Sequence, residues 1–246
     1  MTALWVVIPA YQEEARIEGA LHALAAQLDR DFTLLVVDNA STDTTTAKVR
    51  AFAERAPFPV EVLTEAEKGV GCAVDTGFRH AIANGALLLA RTDADCLPQP
   101  GWTAAARAGL HRCGGLVCGR ITARHDEHGP LGRTVFHLLV ALGAGFGRVR
   151  PAHRRRHGYL TPYRMHSGNN MAITAELYQA VGGMPRRPSP TDRTFINRVR
   201  RHTTAIVHRR DMVVQNSTRR IRAYGLLGTA RWYLERGAGR RGVDVR

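Results

Sequence analysis

Short apolar runs alternate with helix-like patterns through the first hundred residues of the chain. Apolar residues that recur on one helical face, such as Ile17, Leu21, Leu24 and Leu28, predict a helix after the first run. The alternation continues to residue 90, which is typical of βαβ units and of an α/β fold with a mostly parallel central sheet. The predicted strands and helices are, in chain order, Leu4–Ile8, Glu13–Leu28, Thr33–Val37, Asp43–Ala56, Val60–Leu63, Val70–Ala83 and Ala86–Ala90.

The second half of the chain is less regular. Strands are predicted at Gly115–Ala123, Ala205–His208 and Met212–Val214, and helices at Leu131–Leu142, Thr174–Val181, Asp192–Arg201 and Ile221–Arg236. A Gly- and Arg-rich tail from about residue 237 is expected to fray. The length of 246 residues suits a single domain, and no repeat or linker divides it.

Composition narrows the class of protein. Hydrophobic residues make up 44% of the chain and charged residues 23%, which excludes wholesale disorder. The longest apolar stretch, Val135–Gly147, holds a histidine and several glycines and is too short to span a membrane. The first apolar run has no basic segment before it, so a signal peptide is not expected. Four cysteines without a CxxC pair indicate free thiols in a reducing cytoplasm.

The net charge of +14 is unevenly distributed. Residues 1–100 contain eight Lys and Arg against 14 Asp and Glu, whereas residues 101–246 contain 27 against seven. A basic second half suggests an anionic partner, although a general preference for arginine at the surface would give the same pattern. The densest cluster consists of Arg148, Arg150, His153, Arg154, Arg155, Arg156 and His157.

Polar residues collect directly after three of the predicted strands, at residues 9–14, 38–43 and 92–95. Ligands of open α/β sheets bind outside the carboxyl ends of strands, so the three groups predict one shared site. Helix capping could account for Ser41 and Asp43, but it does not account for Asp93 together with Asp95. Two carboxylates so close in the chain repel each other unless a cation lies between them, and oxygen ligands favour Mg²⁺ or Mn²⁺.

Two further positions could contact a nucleotide. The Asp38 carboxylate, after an apolar strand, can accept a hydrogen bond from a nucleobase N–H or a ribose hydroxyl. The segment Lys68–Gly71 could bring backbone and a cation near phosphate, or could be a helix-entry turn with a solvated lysine. It lacks the Gly-Lys-Ser/Thr of a Walker A loop and is not a dinucleotide fingerprint.

Taken in order, these segments resemble glycosyltransferase family 2, whose members have the GT-A fold. The resemblance covers about residues 4–215. It continues through a segment that is similar to the acceptor side of the family, Ser167–Pro185, and through Thr191–Phe195, which is similar to a Glu-Asp motif at the start of a helix. The resemblance implies one GT-A domain, with a nucleotide-sugar-binding half at 1–100 and an irregular acceptor-binding half at 101–246.

The resemblance also implies a role for each matched position. Pro9, Tyr11 and Glu13 would line the nucleotide pocket, Asp38 would read the base, usually uracil, and Lys68 would lie near the nucleotide or its phosphates. Asp93 would face ribose or metal, Asp95 would bind the Mn²⁺ or Mg²⁺ ion that holds the diphosphate, and Asp192 would be the general base. Asn39 replaces a frequent aspartate, and Thr191 replaces the usual glutamate.

The implied reaction is a metal-dependent, inverting transfer of sugar from a nucleotide-sugar donor, a UDP-sugar, to an acceptor hydroxyl or another nucleophile. A retaining outcome stays open, and His166, His202 and His208 are candidates for a third metal ligand without being assigned to it. The acceptor suited to a basic half is anionic: a polyprenyl phosphate, an intermediate tethered to an acidic carrier protein, or a small metabolite. Peripheral membrane contact is also compatible with this charge.

Two other classes of function compete with this interpretation. A nucleotidyltransferase would normally carry a Gly-rich, cationic loop after the first strand, whereas residues 9–14 hold neither glycine nor a cation. A basic protein that binds an anionic surface would show steep salt dependence and no need for Asp95. Aromatic residues make up only 7% and are not interleaved with the arginine cluster, so nucleic acid is not an expected partner.

Overall fold

A single eight-stranded sheet organises the fold in the computed structural model. The structure describes residues 4–127, 129–149 (backbone alone at 139 and 142–149), 158–164, 166–186, 191–219 and 225. The strands are β1 Leu4–Ala10, β2 Thr33–Asp38, β3 Val60–Thr64, β4 Leu88–Arg91, β5 Leu97–Pro98, β6 Leu116–Ala123, β7 Met171–Thr174 and β8 Ile206–Asn216. The helices are α1 Ile17–Ala25, α2 Thr45–Ala53, α3 Val70–Ala83, α4 Trp102–Cys113, α5 Pro130–Val149, α6 Ala175–Ala180 and α7 Thr191–His202.

The strand order is β3-β2-β1-β4-β7-β6-β8-β5. Strands β1 to β4 pair in parallel with their neighbours, whereas β7 runs antiparallel to both β4 and β6. Strand β7 is antiparallel to β4, and β6 is antiparallel to β7, so β6 runs in the same direction as β4 and β1. Strand β8 is parallel to β6 and shares that direction. The carboxyl ends of six strands therefore meet at one edge of the sheet. The predicted α/β fold with a mostly parallel sheet is confirmed.

Apolar side chains pack on both faces of the sheet, because alternate residues of a strand point to opposite sides. Val6 and Ile8 belong to a core cluster with α1 and α4, and Val7 belongs to a second cluster with α3 and α7. Both strand faces are buried, which explains why β1 and β2 are continuous apolar runs rather than alternating ones. Burial on both sides fixes the strand ends rigidly.

Several elements differ from the sequence-based expectation. Helix α1 begins at Ile17 rather than Glu13, because residues 14–16 form a turn in which the Glu13 carbonyl accepts from the Arg16 and Ile17 amides. Helix α4, rich in alanine, and the short strands β5 and β7 were not predicted. The two short strands predicted after residue 204 are one strand, β8. The predicted helix at Ile221–Arg236 lies, apart from Gly225, outside the described residues, as does the tail.

Within the described part of the chain, no helix combines the length and apolar character that a membrane crossing needs.

All four cysteines are free thiols. Burial raises the pKa of Cys118 to about 12 and raises that of Cys96 well above its usual value. These two cysteines are therefore unreactive core residues in the folded chain.

Candidate active site

The loops after β1 and β2 lock together at the carboxyl edge of the sheet. Gln12 and Ala40 both adopt positive φ, at 53° and 62°, a conformation that residues other than glycine seldom take. The Gln12 side chain accepts from the Thr42 and Asp43 amides at 2.9 and 3.2 Å, and its backbone amide donates to Ser41 Oγ. Such over-determined backbone strain is typical of functional sites. The Gln12 backbone amide donates to Ser41 and its side-chain amide donates to Thr42, so capping of α2 by Ser41 or Thr42, a second expectation from the sequence, is wrong.

Four of the predicted donor-site residues lie in or beside these two loops. Pro9 is buried in β1 opposite Val37, and the Asp38 carboxylate at the end of β2 accepts from the Ser41 amide at 3.3 Å. Lys68 Nζ donates to the Tyr11 hydroxyl at 3.3 Å and lies 5.1 Å from the centre of the Tyr11 ring. The sheet thus brings Tyr11, Asp38 and Lys68 to the same edge, with Tyr11 and Lys68 exposed enough to meet a ligand.

Asn39, which replaces a frequent aspartate, has a structural role. Its side-chain amide donates to the carbonyls of Glu65 and Glu67, both at 2.8 Å, and its oxygen accepts from the Gly69 amide. These bonds hold the loop between β3 and α3, which carries Lys68, against the end of β2. An aspartate could not donate the first two bonds. Asn39 therefore positions Lys68 through hydrogen bonds to the backbone on both sides of it in the chain.

Glu13 and Asp95 share one arginine that the sequence analysis did not identify. Arg219 donates to both Glu13 oxygens at 3.0 and 2.6 Å, and its Nη2 lies 3.1 Å from Asp95 Oδ2. Glu13 is buried, and burial raises its pKa while Arg219 lowers it. Glu127 fixes the segment before Arg219, accepting from the Ser217 hydroxyl and from the Thr218 amide, both at 2.8 Å.

A second arginine joins Asp93 to Asp192. Arg91, the last residue of β4, is buried; its Nε lies 3.0 Å from Asp93 Oδ1 and its Nη1 lies 2.9 Å from Asp192 Oδ1. Burial raises the pKa of Asp93, and the Arg91 charge opposes this rise. Asp192 comes from the first turn of α7, 101 residues away in the chain. The buried guanidinium therefore fixes the predicted base beside the predicted ribose or metal ligand.

The acceptor-side segment also reaches Asp192. A side chain at Gly168 would meet the Asp192 carboxyl group within 2.3 Å, so only glycine allows this close approach. Asn170 has a structural role, since its oxygen accepts from Trp102 Nε1 at 2.8 Å and its amide donates to the Arg120 and Met212 carbonyls. Thr191, in the place of the usual glutamate, is buried next to Gly71 at the start of α3.

The carboxylates offer hard oxygen ligands for Mn²⁺ or Mg²⁺. Within the described residues, no three His, Cys, Asp or Glu side chains are grouped closely enough to hold a metal by themselves. The Asp95 side chain is partly exposed, which suits a carboxylate that shares an ion with substrate phosphates, whereas the Arg219 Nη2 atom, 3.1 Å from Asp95 Oδ2, competes with an ion for that oxygen. His166 has buried ring nitrogens and lies close enough to Asp192 for its charge to act on the ring, the Nε2 atom of His208 is buried, and His202 is exposed at the end of α7.

The predicted site residues therefore lie together at the carboxyl edge of the sheet. The position of the arginine cluster is not described. Residues 150–157 lie outside the described residues, and Arg148 is described by its backbone alone. The residues that the sequence analysis missed are Arg91 and Arg219. The only signal for Arg91 was its place directly after an apolar strand, where a buried cation would need an acidic partner, and that signal does not identify the partner.

Comparison with known proteins agrees with this geometry. The sequence profile described as Glycosyl transferase family 2 matches residues 5–181. No curated protein sequence matches the chain with significance. Among solved structures, the mannosyltransferase PcManGT from Pyrobaculum calidifontis, in complex with GDP-Man and Mn²⁺, is 25% identical, with a TM-score of 0.66 over 97% of this chain and 66% of that one.

Two further solved structures share the fold. S. aureus TarS 1–349 is 18% identical, with a TM-score of 0.63 over 90% of this chain and 62% of that one. Glucosyl-3-phosphoglycerate synthase from Mycobacterium tuberculosis, in complex with Mn²⁺, UDP and glucosyl-3-phosphoglycerate, is 21% identical, with a TM-score of 0.56 over 92% and 76%. The chain thus spans just under two thirds of PcManGT and of the TarS fragment. Since the family profile matches well over half of the chain, from β1 past α6, this chain belongs to glycosyl transferase family 2 and has the GT-A fold.

Proposed function

We propose that the chain transfers a sugar from a UDP-sugar to a hydroxyl of an anionic acceptor, with inversion and with a divalent cation. The observation that carries the proposal is the convergence of four carboxylates at the carboxyl edge of the sheet. Glu13 and Asp95 meet at Arg219, and Asp93 and Asp192 meet at Arg91. These four side chains would supply a contact for the donor, a ligand for the metal ion and a base for the acceptor.

The donor end is assigned to the first hundred residues. Asp38 would accept from the uracil N–H, Tyr11 and Pro9 would line the base pocket, and Lys68 would neutralise phosphate. Structures of similar fold hold UDP with Mn²⁺, which supports this donor class. The PcManGT complex instead holds GDP-Man, so a GDP-sugar is the competing donor that the experiment must exclude.

Asp95, with Asp93, would hold the Mn²⁺ or Mg²⁺ ion together with the donor diphosphate. The ion would neutralise the charge of the leaving nucleoside diphosphate. Before the donor binds, Arg219 balances the charge of Asp95 and Glu13, and it remains next to the place where the diphosphate would arrive. Arg219 is thus a second source of positive charge for the leaving group.

Asp192 would take the proton of the acceptor hydroxyl as its oxygen attacks the anomeric carbon. Its side chain is 39% exposed, so an acceptor can reach it, while Arg91 and Gly168 hold the carboxylate from two sides. A single base positioned in this way favours inversion, in which the acceptor oxygen displaces the diphosphate in one step.

The acceptor end is assigned to residues 101–246, whose excess of arginine suits an anionic molecule. The structure that carries glucosyl-3-phosphoglycerate is a related fold with a small anionic acceptor product, which supports the small-metabolite option. A polyprenyl phosphate or an acidic carrier protein would use the cluster around Arg154, with contact to an anionic membrane surface in the first case. Four free cysteines suit a reducing compartment.

A thermal-shift panel tests this function. The chain is heated with UDP, GDP and other nucleoside diphosphates, with their sugars, and with nucleoside triphosphates plus sugar phosphates, each with and without Mn²⁺. We expect UDP and one UDP-sugar to raise Tm only when Mn²⁺ is present. Equal shifts by UDP and GDP would contradict the role of Asp38, and a shift only with triphosphates would indicate a nucleotidyltransferase.

A further inference from the structure

A cavity lies on the face of the sheet against which α7 packs. The segment before β7, helix α7 and the start of β8 enclose it. Its lining residues are Thr161, Pro162, Arg164, Ile196, Arg200, Ile206 and His208. Asp192, Ile196 and Arg200 are spaced by four residues and lie on one face of α7. Ile196 and Arg200 line the cavity, and at 1.5 Å per residue Arg200 lies about 12 Å along the helix from Asp192.

The sheet places His208 on the same side as Asp192. Arg91, Met171, Cys118 and His208 are paired in register across β4, β7, β6 and β8, so these four residues form one row. Residues paired in register point to the same face of a sheet. The row therefore faces α7, where Arg91 binds Asp192.

Two polar side-chain atoms of the cavity wall, Thr161 Oγ1 and His208 Nε2, are buried and make no hydrogen bond with the residues that the structure describes. His166 lies close enough to Asp192 and His208 for the charge of each to act on it. Buried polar groups nearly always have partners in native proteins, so these two atoms point to polar groups supplied by a ligand.

The charges on the cavity wall define the kind of ligand. None of its lining side chains is acidic, and two are arginines. Arg200 is held firmly: Nε and Nη2 donate to the Thr161 carbonyl at 3.0 and 2.8 Å, and the guanidinium lies 4.1 Å from the centre of the Tyr159 ring. Arg164 is exposed at the rim. Burial lowers the pKa of His166 to about 4 and lowers that of His208, so both rings are neutral at pH 7 and offer one donor and one acceptor each.

We propose that this cavity is the acceptor subsite and that it binds an oxyanion of the acceptor, a phosphate or a carboxylate. Arg164 and Arg200 supply the positive charge, and His208 and Thr161 supply hydrogen bonds. The acceptor hydroxyl then lies at Asp192, within about 12 Å of the anion along α7. The assignment of this cavity to the acceptor rests on the proposed function, whereas the prediction that the cavity binds an oxyanion does not.

The test reads the histidine rings directly. The protein is labelled with ¹⁵N-histidine, and the ring resonances of His166 and His208 are assigned by their loss in His166→Gln and His208→Gln. Inorganic phosphate and malonate are titrated separately at low salt, which distinguishes a phosphate from a carboxylate. No histidine is among the residues assigned to the donor, and His208 lines the cavity, so its resonances report the cavity, whereas those of His166 also respond to Asp192.

We expect one of the two anions to shift the His208 resonances, with a Kd at least tenfold weaker in Arg164→Gln. The matched control is Arg112→Gln, which removes an equal charge from an exposed position on α4, at the opposite face of the sheet, and should leave Kd unchanged. Unshifted His208 resonances at saturating anion, or an equal Kd in Arg164→Gln, would overturn the subsite. Loss of UDP binding with these shifts intact would refute the donor proposal and leave the subsite standing.

Discussion

Replacing Arg219 by Gln should leave the buried Glu13 without its counter-charge. Glu13 keeps 6% of its side-chain surface exposed and Arg219 keeps 16%. Breaking a buried ion pair from one side costs about 3–5 kcal/mol. Since Asp95 and the Arg219 side chain retain some solvent, we take the lower end, about 3 kcal/mol, which corresponds to a fall in Tm of about 6–12 °C for a chain of this length.

The stability that Arg219→Gln loses should depend on pH in a defined direction. Burial already raises the pKa of Glu13, and removal of the Arg219 charge raises it further. A carboxyl whose pKa is higher in the folded state loses stability as pH rises from its unfolded value, about 4.3, through its folded value. The deficit of Arg219→Gln should therefore be small at pH 4, where Glu13 is mostly protonated in both states, and should grow toward pH 7.

Urea unfolding in EDTA, at several pH values, measures this effect. The double variant Glu13→Gln/Arg219→Gln should recover most of the stability at pH 7, because no unpaired charge remains buried. Lys48→Gln, which breaks an exposed pair with Glu18, is the matched control and should leave unfolding unchanged. A single variant as stable as the unmutated chain at pH 7, or a deficit that shrinks as pH rises, would refute the reasoning.

Three further predictions concern single side chains. Asp192→Asn should bind donor normally and transfer sugar about 10²–10⁴-fold more slowly, as measured by product formation, because general-base catalysis is lost; near-normal transfer would favour a retaining mechanism. Asp38→Ala should weaken UDP binding in calorimetry while Tm changes little, since the residue ends a strand at the sheet edge; unchanged affinity would remove Asp38 from the base pocket. A thiol reagent should modify Cys113 first and Cys96 and Cys118 only on unfolding, because the latter two are buried with raised pKa values; modification of all at one rate would contradict this burial.

The strand ends could be predicted because local sequence determines them. Apolar runs fix β1, β2 and β4, and a polar residue directly after each run must lie at the carboxyl edge, whatever the rest of the chain does. Asp38, Asp93 and Asp95 were therefore found from the sequence. The single strand β8 was not, because Arg209 and Asp211 interrupt its apolar pattern while they pair with each other at the surface.

The cations of the site could not be predicted, because their partners are distant in the chain. Arg219 lies 206 residues from Glu13, and Arg91 lies 101 residues from Asp192. Periodicity and spacing describe neighbours, whereas these contacts arise only after β4 and β7 pair and α7 packs beside them. The sequence suggested a cation between Asp93 and Asp95; the protein itself supplies a guanidinium to each of them.

Calorimetric titration of UDP is the most direct test of the metal-dependent donor site. Unmutated protein and Asp95→Asn are each titrated with UDP in Mn²⁺ and in EDTA. The account predicts that Mn²⁺ tightens UDP binding by at least tenfold, about 1.4 kcal/mol, in the unmutated protein and has little effect in Asp95→Asn. Equal affinity for UDP in Mn²⁺ and in EDTA, or an undiminished Mn²⁺ effect in Asp95→Asn, would contradict it.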